Sequence, residues 1–439
     1  MSEISMVLAG NLACNMLCSY CSATGIAPED FEKRGCKKSD LGKPIWDWDG
    51  LKKIFDTNPI IQEHLKTGKT LTLNFWGSEP LLWTKEFDMY FEWVKKHYPN
   101  LKFYAFISTN GLLLGSKHIQ EWIIDRHKKY GLELQLSHDG IGQYIRGKHF
   151  DPLYDPKTKD FVIKLVKLKI LNMINATLNN YNCSPIANMQ YFNKWRFDNH
   201  IEKYDLLIKL NHNNDSSYTG SYKLTGENLD RYMHEMELLW QQAYLVDTNY
   251  NPDDLQCQIW HPFAGYFRNQ MTRWQPFIQY GGCAQFSKGE KDWTWCFNSK
   301  GEYVFCQLCN NPEDNPNPNV EQGPECNECE FRDYDDCHGC PDMVFPEHCE
   351  YKKAYIRLVL RMKQYCTLMD NFAKERQILY YKINNMQKEL QNKSCNCNKP
   401  NPELTGNMCA NDNGATTGLC NACIGSNFNV WSKSRERKD

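Results

Sequence analysis

Nowhere in its 439 residues does the sequence hold an apolar run long enough to cross a bilayer, and its N-terminus lacks the basic segment and apolar stretch of an export signal. The expectation is a cytoplasmic protein with no membrane partner. A dominant charge of one sign is missing too. Lys and Arg number 51 against 53 Asp and Glu, a net charge of −2, so no global field draws in a polyanion and nucleic acid is not the expected partner. Cysteine, by contrast, is abundant at 21. A long chain without an export signal is a poor disulfide scaffold, which leaves metal ligation as the better account. The cysteines also cluster, three within residues 14–21, nine within 283–349 and five within 395–423, so three separate sites are expected.

The chain is long enough for roughly two to three folded units. Short β-type runs at 4–8, 70–76, 103–108, 132–137, 170–178 and 205–210 alternate with segments of helical apolar spacing, such as 84–97 and 116–130. Strand-helix alternation implies a parallel sheet with helices outside it. About six βα repeats curled into an open, TIM-like barrel fit residues 1–215, with the polar strand ends gathered at one mouth. Residues 216–280 read as a linker or helical bridge containing a helix at 226–245, and 281–350 as a small cysteine-rich module. From 350 to 393 there is neither Pro nor Gly, and Leu358, Met362, Tyr365, Met369 and Phe372 recur at helical spacing, so 351–394 is expected as one long amphipathic helix. The tail, 395–439, is too poor in apolar residues to fold without a staple.

Directly after the first predicted strand, Cys14-x3-Cys18-x2-Cys21 puts three thiolates on one short loop, with no fourth cysteine close by. Three ligands on a four-iron cube leave one iron open to bind a small molecule through that molecule's own amine and carboxylate. Chance thiols or a zinc site are the plainer readings, although zinc ordinarily takes a fourth ligand nearby. Later strand ends carry Gly77-Ser78-Glu79-Pro80, then Ser108-Thr109-Asn110-Gly111, then Ser137-His138-Asp139-Gly140. Singly, each is a Gly-containing turn that any βα protein can have. Together with the C-x3-C-x2-C loop and the aromatic Tyr20 before its last cysteine, they resemble the radical S-adenosylmethionine (SAM) superfamily.

That resemblance implies an α/β fold, a partial (β/α)6 TIM-like barrel whose Cys14, Cys18 and Cys21 hold a [4Fe-4S] cluster. SAM would chelate the fourth iron through its methionine end, and an electron from the reduced cluster would split it to a 5′-deoxyadenosyl radical. By the same resemblance Gly77, Ser78, Glu79 and Pro80 are the Gly-Gly-Glu-Pro motif with Ser78 in place of a Gly. Glu79 would accept hydrogen bonds from the ammonium of SAM, Ser137 and Asp139 would sit by its ribose and carboxylate, and Tyr20 near its adenine. Thr109 and Asn110 lie at the same mouth. An electron donor such as flavodoxin or ferredoxin is the implied partner.

The second group reads Cys283, Cys296, Cys306 and Cys309, then Cys326-x2-Cys329-x7-Cys337-x2-Cys340 and Cys349, with a β-hairpin expected to turn at Lys300-Gly301. Its layout resembles the SPASM domain, which binds one or two auxiliary [4Fe-4S] clusters, although the family's middle gaps are x5 and x3. By position, Cys326, Cys329, Cys337 and Cys349 would hold an outer cluster and Cys283, Cys306 and Cys340 an inner one, with Cys296 or Cys309 as its fourth ligand or that iron left open to substrate. Structural zinc sites are the alternative, since paired C-x2-C motifs are also zinc knuckles. In the tail, Cys395, Cys397, Cys409, Cys420 and Cys423 read as a zinc-bound knob, or else as free thiols.

SPASM enzymes as a family act mostly on peptides and protein side chains, making crosslinks or thioethers, epimerising residues or oxidising a sulfatase Cys or Ser. A peptide or protein substrate is therefore expected. In the sulfatase-maturing branch an Asp follows the hairpin cysteine, whereas Gln307 follows Cys306 here, which counts against that reaction. With only thirteen residues before Cys14, peptide recognition is expected from the tail, the long helix or a separate protein. Trp46, Trp48, Trp195, Trp260 and Trp274 are groove or core aromatics, with core the commoner fate. No spacing rule selects Asp49, Tyr280 or His212 as proton donors. Two other classes stand: a radical SAM enzyme acting on a small molecule or nucleotide, and a non-catalytic metal-binding interaction protein.

Overall fold

The computed structural model describes residues 4–9, 14–16, 18, 20, 47–67, 70–76, 79–146, 150–201, 205–212, 222–248, 294–298, 300–304, 328–330 and 349–392. The chain divides into two compact units, 1–362 and 363–439.

In the first unit the six expected strands form within a residue or two of their expected bounds: β1 Ile4–Ala9, β2 Leu71–Trp76, β3 Phe103–Thr109, β4 Glu133–Ser137, β5 Leu171–Leu178 and β6 Leu207–His212. Each pairs in parallel with the next. The intervening helices are α1 Trp48–Thr57, α2 Pro59–Thr67, α3 Thr84–His97, α4 Lys117–Tyr130, α5 Lys159–Lys167 and α6 Pro185–Asp198. This is the α/β architecture of a partial TIM-like barrel. Period-two alternation divides the faces of the sheet. Leu71, Leu73 and Phe75 are buried, as are their register neighbours Ala105 and Ile107 and, beyond them, Leu134 and Leu136. Phe75 meets Phe87 of α3 with ring centroids 4.5 Å apart, which identifies this face as the one covered by helices. Each such buried aliphatic or aromatic side chain stabilises by about 1.5–3 kcal/mol. Trp195 is a fully buried core aromatic, and Trp48, half-buried, packs on the core against Phe87 and Tyr90.

The expected hairpin forms as β7 Thr294–Phe297 and β8 Tyr303–Val304. Asn298 builds its turn, its side-chain oxygen accepting from the amides of Lys300 and Glu302 at 3.0 Å each. The sequence reading did not foresee where the hairpin goes. β7 pairs in parallel with β1, extending the barrel sheet to the order β6-β5-β4-β3-β2-β1-β7-β8. The turn lies directly on the start of α1: a Cβ on Gly301 would stand 2.3 Å from the Gly50 carbonyl oxygen. Gly301 also has φ +78°, a conformation that favours glycine.

α7 Gly226–Thr248 and the first part of α8 Cys349–Asn392 pack together. Tyr351, Ile356, Leu358 and Met362 are buried, and Arg361 donates to Glu237 at 2.8 Å. In the second unit α8 continues with several large apolar residues exposed, among them Phe372 and Leu379, while Tyr365 and Met369 are half-buried.

Candidate functional site

Strand ends β1 to β4 meet at one mouth. After β2, Glu79 caps a short 3-10 helix, Pro80–Trp83, accepting from the Leu81 amide at 3.1 Å. The Thr109 hydroxyl donates to the same carboxylate oxygen at 2.9 Å, and the Asn110 amide donates to the other at 2.7 Å. Glu79 is completely buried, and burial pushes its carboxyl up to about 7 despite these three donors. No cation pairs with it among the described residues. Asn110 then reaches the cysteine loop: its side-chain amide donates to Asn15 Oδ1 at 2.8 Å and lies 3.7 Å from Cys14 Sγ, which also accepts from the Met16 amide at 3.4 Å. Amide donors on sulfur suit a thiolate that ligates iron.

The other corner is built on Asp139, after β4. It too is fully buried, but Arg146 pairs with it at 3.2 Å, and Thr177 donates its amide at 3.1 Å. The Tyr20 hydroxyl donates to Asp139 and accepts from Arg146 at 3.1 Å. Burial among these groups pushes the Tyr20 phenol well up, so it stays a neutral donor. Met16, Cys18 and Tyr20 form one buried cluster, with Cys14, Leu112, Ile145 and Tyr222 packed against it. The turn needs Gly140: its φ is +58°, and a Cβ there would meet Asn188 Oδ1 at 2.1 Å. His138 points the other way, donating through Nε2 to Asp151 at 2.9 Å while its Nδ1 accepts from the Gly140 amide at 2.9 Å.

The structure therefore gathers Cys14, Glu79, Thr109 and Asn110 into one hydrogen-bond network and Tyr20 and Asp139 into another, with Cys18 in the apolar cluster beside Tyr20. Pro80 is buried beside Glu79, and Ser137 ends β4 in register with Asn175. Cys21, Gly77 and Ser78 lie outside the described residues, as do Cys283, Cys306, Cys309, Cys326, Cys337, Cys340 and the five cysteines of the tail. Cys349 begins α8, Cys296 is buried on β7 and Cys329 is half-buried. Asp49 is a surface partner of Lys52. Arg146 and Asn15 escaped the sequence reading; a cation six residues beyond Gly140 and an Asn within the cysteine loop carry no spacing signal of their own.

Among solved structures, the chain matches anSMEcpe, an anaerobic sulfatase-maturating enzyme and a SPASM-domain radical SAM enzyme. Against that protein with bound AdoMet, the TM-score is 0.54 at 14% identity, covering 84% of this chain and 99% of the other. The chain has the radical SAM fold. With bound AdoMet and Kp18Cys peptide the values are 0.54, 16%, 84% and 99%, and with bound AdoMet and Cp18Cys peptide 0.53, 15%, 84% and 99%. No protein-family model and no curated protein matches the sequence. In parallel βα barrels the loops after the strands form the face that carries chemistry, and the Glu79 and Asp139 networks stand on those loops. No described helix is long and apolar enough to cross a membrane.

Proposed function

We propose that the protein is a radical SAM enzyme that reductively cleaves SAM and modifies a peptide or protein side chain. One observation carries this reading: a completely buried carboxylate, Glu79, has no paired cation among the described residues and is tied through Asn110 to the cysteine loop. Such a group costs free energy unless a positive ligand arrives.

In this reading Cys14, Cys18 and Cys21 hold a [4Fe-4S] cluster. When bound, the cluster and SAM together supply one-electron cleavage and a 5′-deoxyadenosyl radical able to abstract hydrogen. Glu79 receives the ammonium of SAM, with Thr109 and the Asn110 amide fixing both carboxylate oxygens beforehand so that little reorganisation remains. Asn110 and the Met16 amide steady the Cys14 sulfur. Met16, Cys18 and Tyr20 exclude water from that side. Arg146 pairs with Asp139 and seats Tyr20 between the cluster loop and the β4 loop, so that the ribose end of SAM meets a prearranged wall. The cysteines of 281–350 hold one or two auxiliary clusters, the tail binds zinc, and a flavodoxin or ferredoxin supplies electrons. Peptide modification is favoured by the shared fold with an enzyme whose structures include bound peptide.

The test uses the anaerobically reconstituted protein, SAM, a reductant and a short Cys-, Ser- or aromatic-containing peptide encoded beside its gene, with the peptide deuterated. Deuterium carried into 5′-deoxyadenosine, with a mass change in the peptide, supports the reading. Vigorous SAM cleavage with no label transfer from any such peptide refutes the peptide assignment.

A further inference from the structure

The apolar stripe of α8 has no part in this chemistry, and it does not end where the first unit ends. Beyond Met362 it continues at Tyr365, Met369, Phe372, Leu379, Ile383 and Met386, with gaps alternating between three and four and one polar interruption, Arg376. A 3.5-residue repeat keeps a stripe in a single seam and winds two such helices around each other. Phe372 is 62% exposed, Leu379 57% and Met386 61%. The segment from 365 to 390 is about 39 Å long, well beyond the length at which a paired helix is stable.

We propose that residues 365–390 of α8 pair with the same segment of a second copy of this chain, as an antiparallel two-stranded coiled coil. The seam is complementary to itself. With a two-fold axis between Arg376 and Leu379, Phe372 faces Ile383 of the second copy, and Met369 faces its Met386. On the flank, Glu375 then stands opposite Lys382 of the second copy, and Lys382 opposite its Glu375. Both of these charged residues are exposed. A parallel pairing would instead set Glu375 beside Tyr380 and Lys382 beside Gln387, leaving both charges unmatched. Charge complementarity therefore selects the antiparallel form.

Sedimentation velocity on the full-length, cluster-loaded protein at micromolar concentration tests this without any reference to SAM turnover. The expected result is a dimer that becomes a monomer in Leu379→Glu/Ile383→Glu, with helix content retained by circular dichroism. Glu375→Lys alone should weaken association about fivefold, and adding Lys382→Glu should restore it. A monomeric wild-type protein overturns the proposal and leaves the face to residues 393–439, a substrate or an unrelated protein. A dimer untouched by Leu379→Glu/Ile383→Glu overturns it as well, and failure of the charge swap to restore pairing overturns the antiparallel arrangement.

Discussion

Two carboxylates at the same barrel mouth, both removed from solvent, have been treated in opposite ways. Asp139 has its own cation, Arg146, together with a phenol and a backbone amide. Among the described residues Glu79 has three neutral donors and no paired cation, and burial pushes its carboxyl up to about 7. A buried charge completed internally is architecture; one left incomplete is prepared for a ligand of opposite sign. On the proposed function, the difference separates a self-contained corner of the mouth from the one offered to the ammonium of SAM.

Breaking the completed pair should have the largest effect. Arg146→Met strands Asp139 as a buried unpaired charge, and chemical denaturation should report a loss of about 3–5 kcal/mol in stability. Glu79→Gln should leave unfolding unchanged or raise its midpoint, since it removes a carboxyl that burial disfavours. The same substitution should weaken SAM binding about a hundredfold by calorimetry. If instead Glu79→Gln unfolds the protein and Arg146→Met does not, the roles are reversed.

The pH dependence sharpens the contrast. Glu79 must be ionised to receive an ammonium, so SAM affinity should fall as pH drops through 7, roughly tenfold between pH 8 and pH 6. The sign for folding is the opposite. A carboxyl whose pKa rises on folding stabilises the fold below its ordinary 4.5, and that contribution is lost as pH climbs through 7. Glu79→Gln should flatten both profiles. The smallest effect belongs to Thr109→Val, which deletes one neutral donor to Glu79 and should weaken SAM binding about fivefold while moving the midpoint of the profile upward.

Much of this was legible from sequence because it is periodic or local. Strands such as 103–108 read as short apolar and aromatic runs, and the helices α3 and α4 present apolar residues at helical spacing between Gly- and Pro-containing turns. The strand-end motifs were readable because each lies within a few residues of its strand. What escaped depends on distance in the fold. Tyr20 and Asp139 meet across 119 positions, and Arg146 completes them from a segment without a motif. The docking of β7 on β1 brings together residues almost 300 positions apart, and backbone pairing at a sheet edge leaves no signature in side-chain spacing. The raised pKa of Glu79 follows from burial, which no motif encodes.

Production of 5′-deoxyadenosine from SAM by the anaerobically reconstituted, reduced protein, quantified by mass spectrometry beside the Cys14→Ala/Cys18→Ala/Cys21→Ala variant, tests the central claim most directly. The wild-type protein should form the nucleoside and the variant should form none while its second cysteine region still carries iron. Equal production by both proteins would contradict a radical SAM centre on this loop.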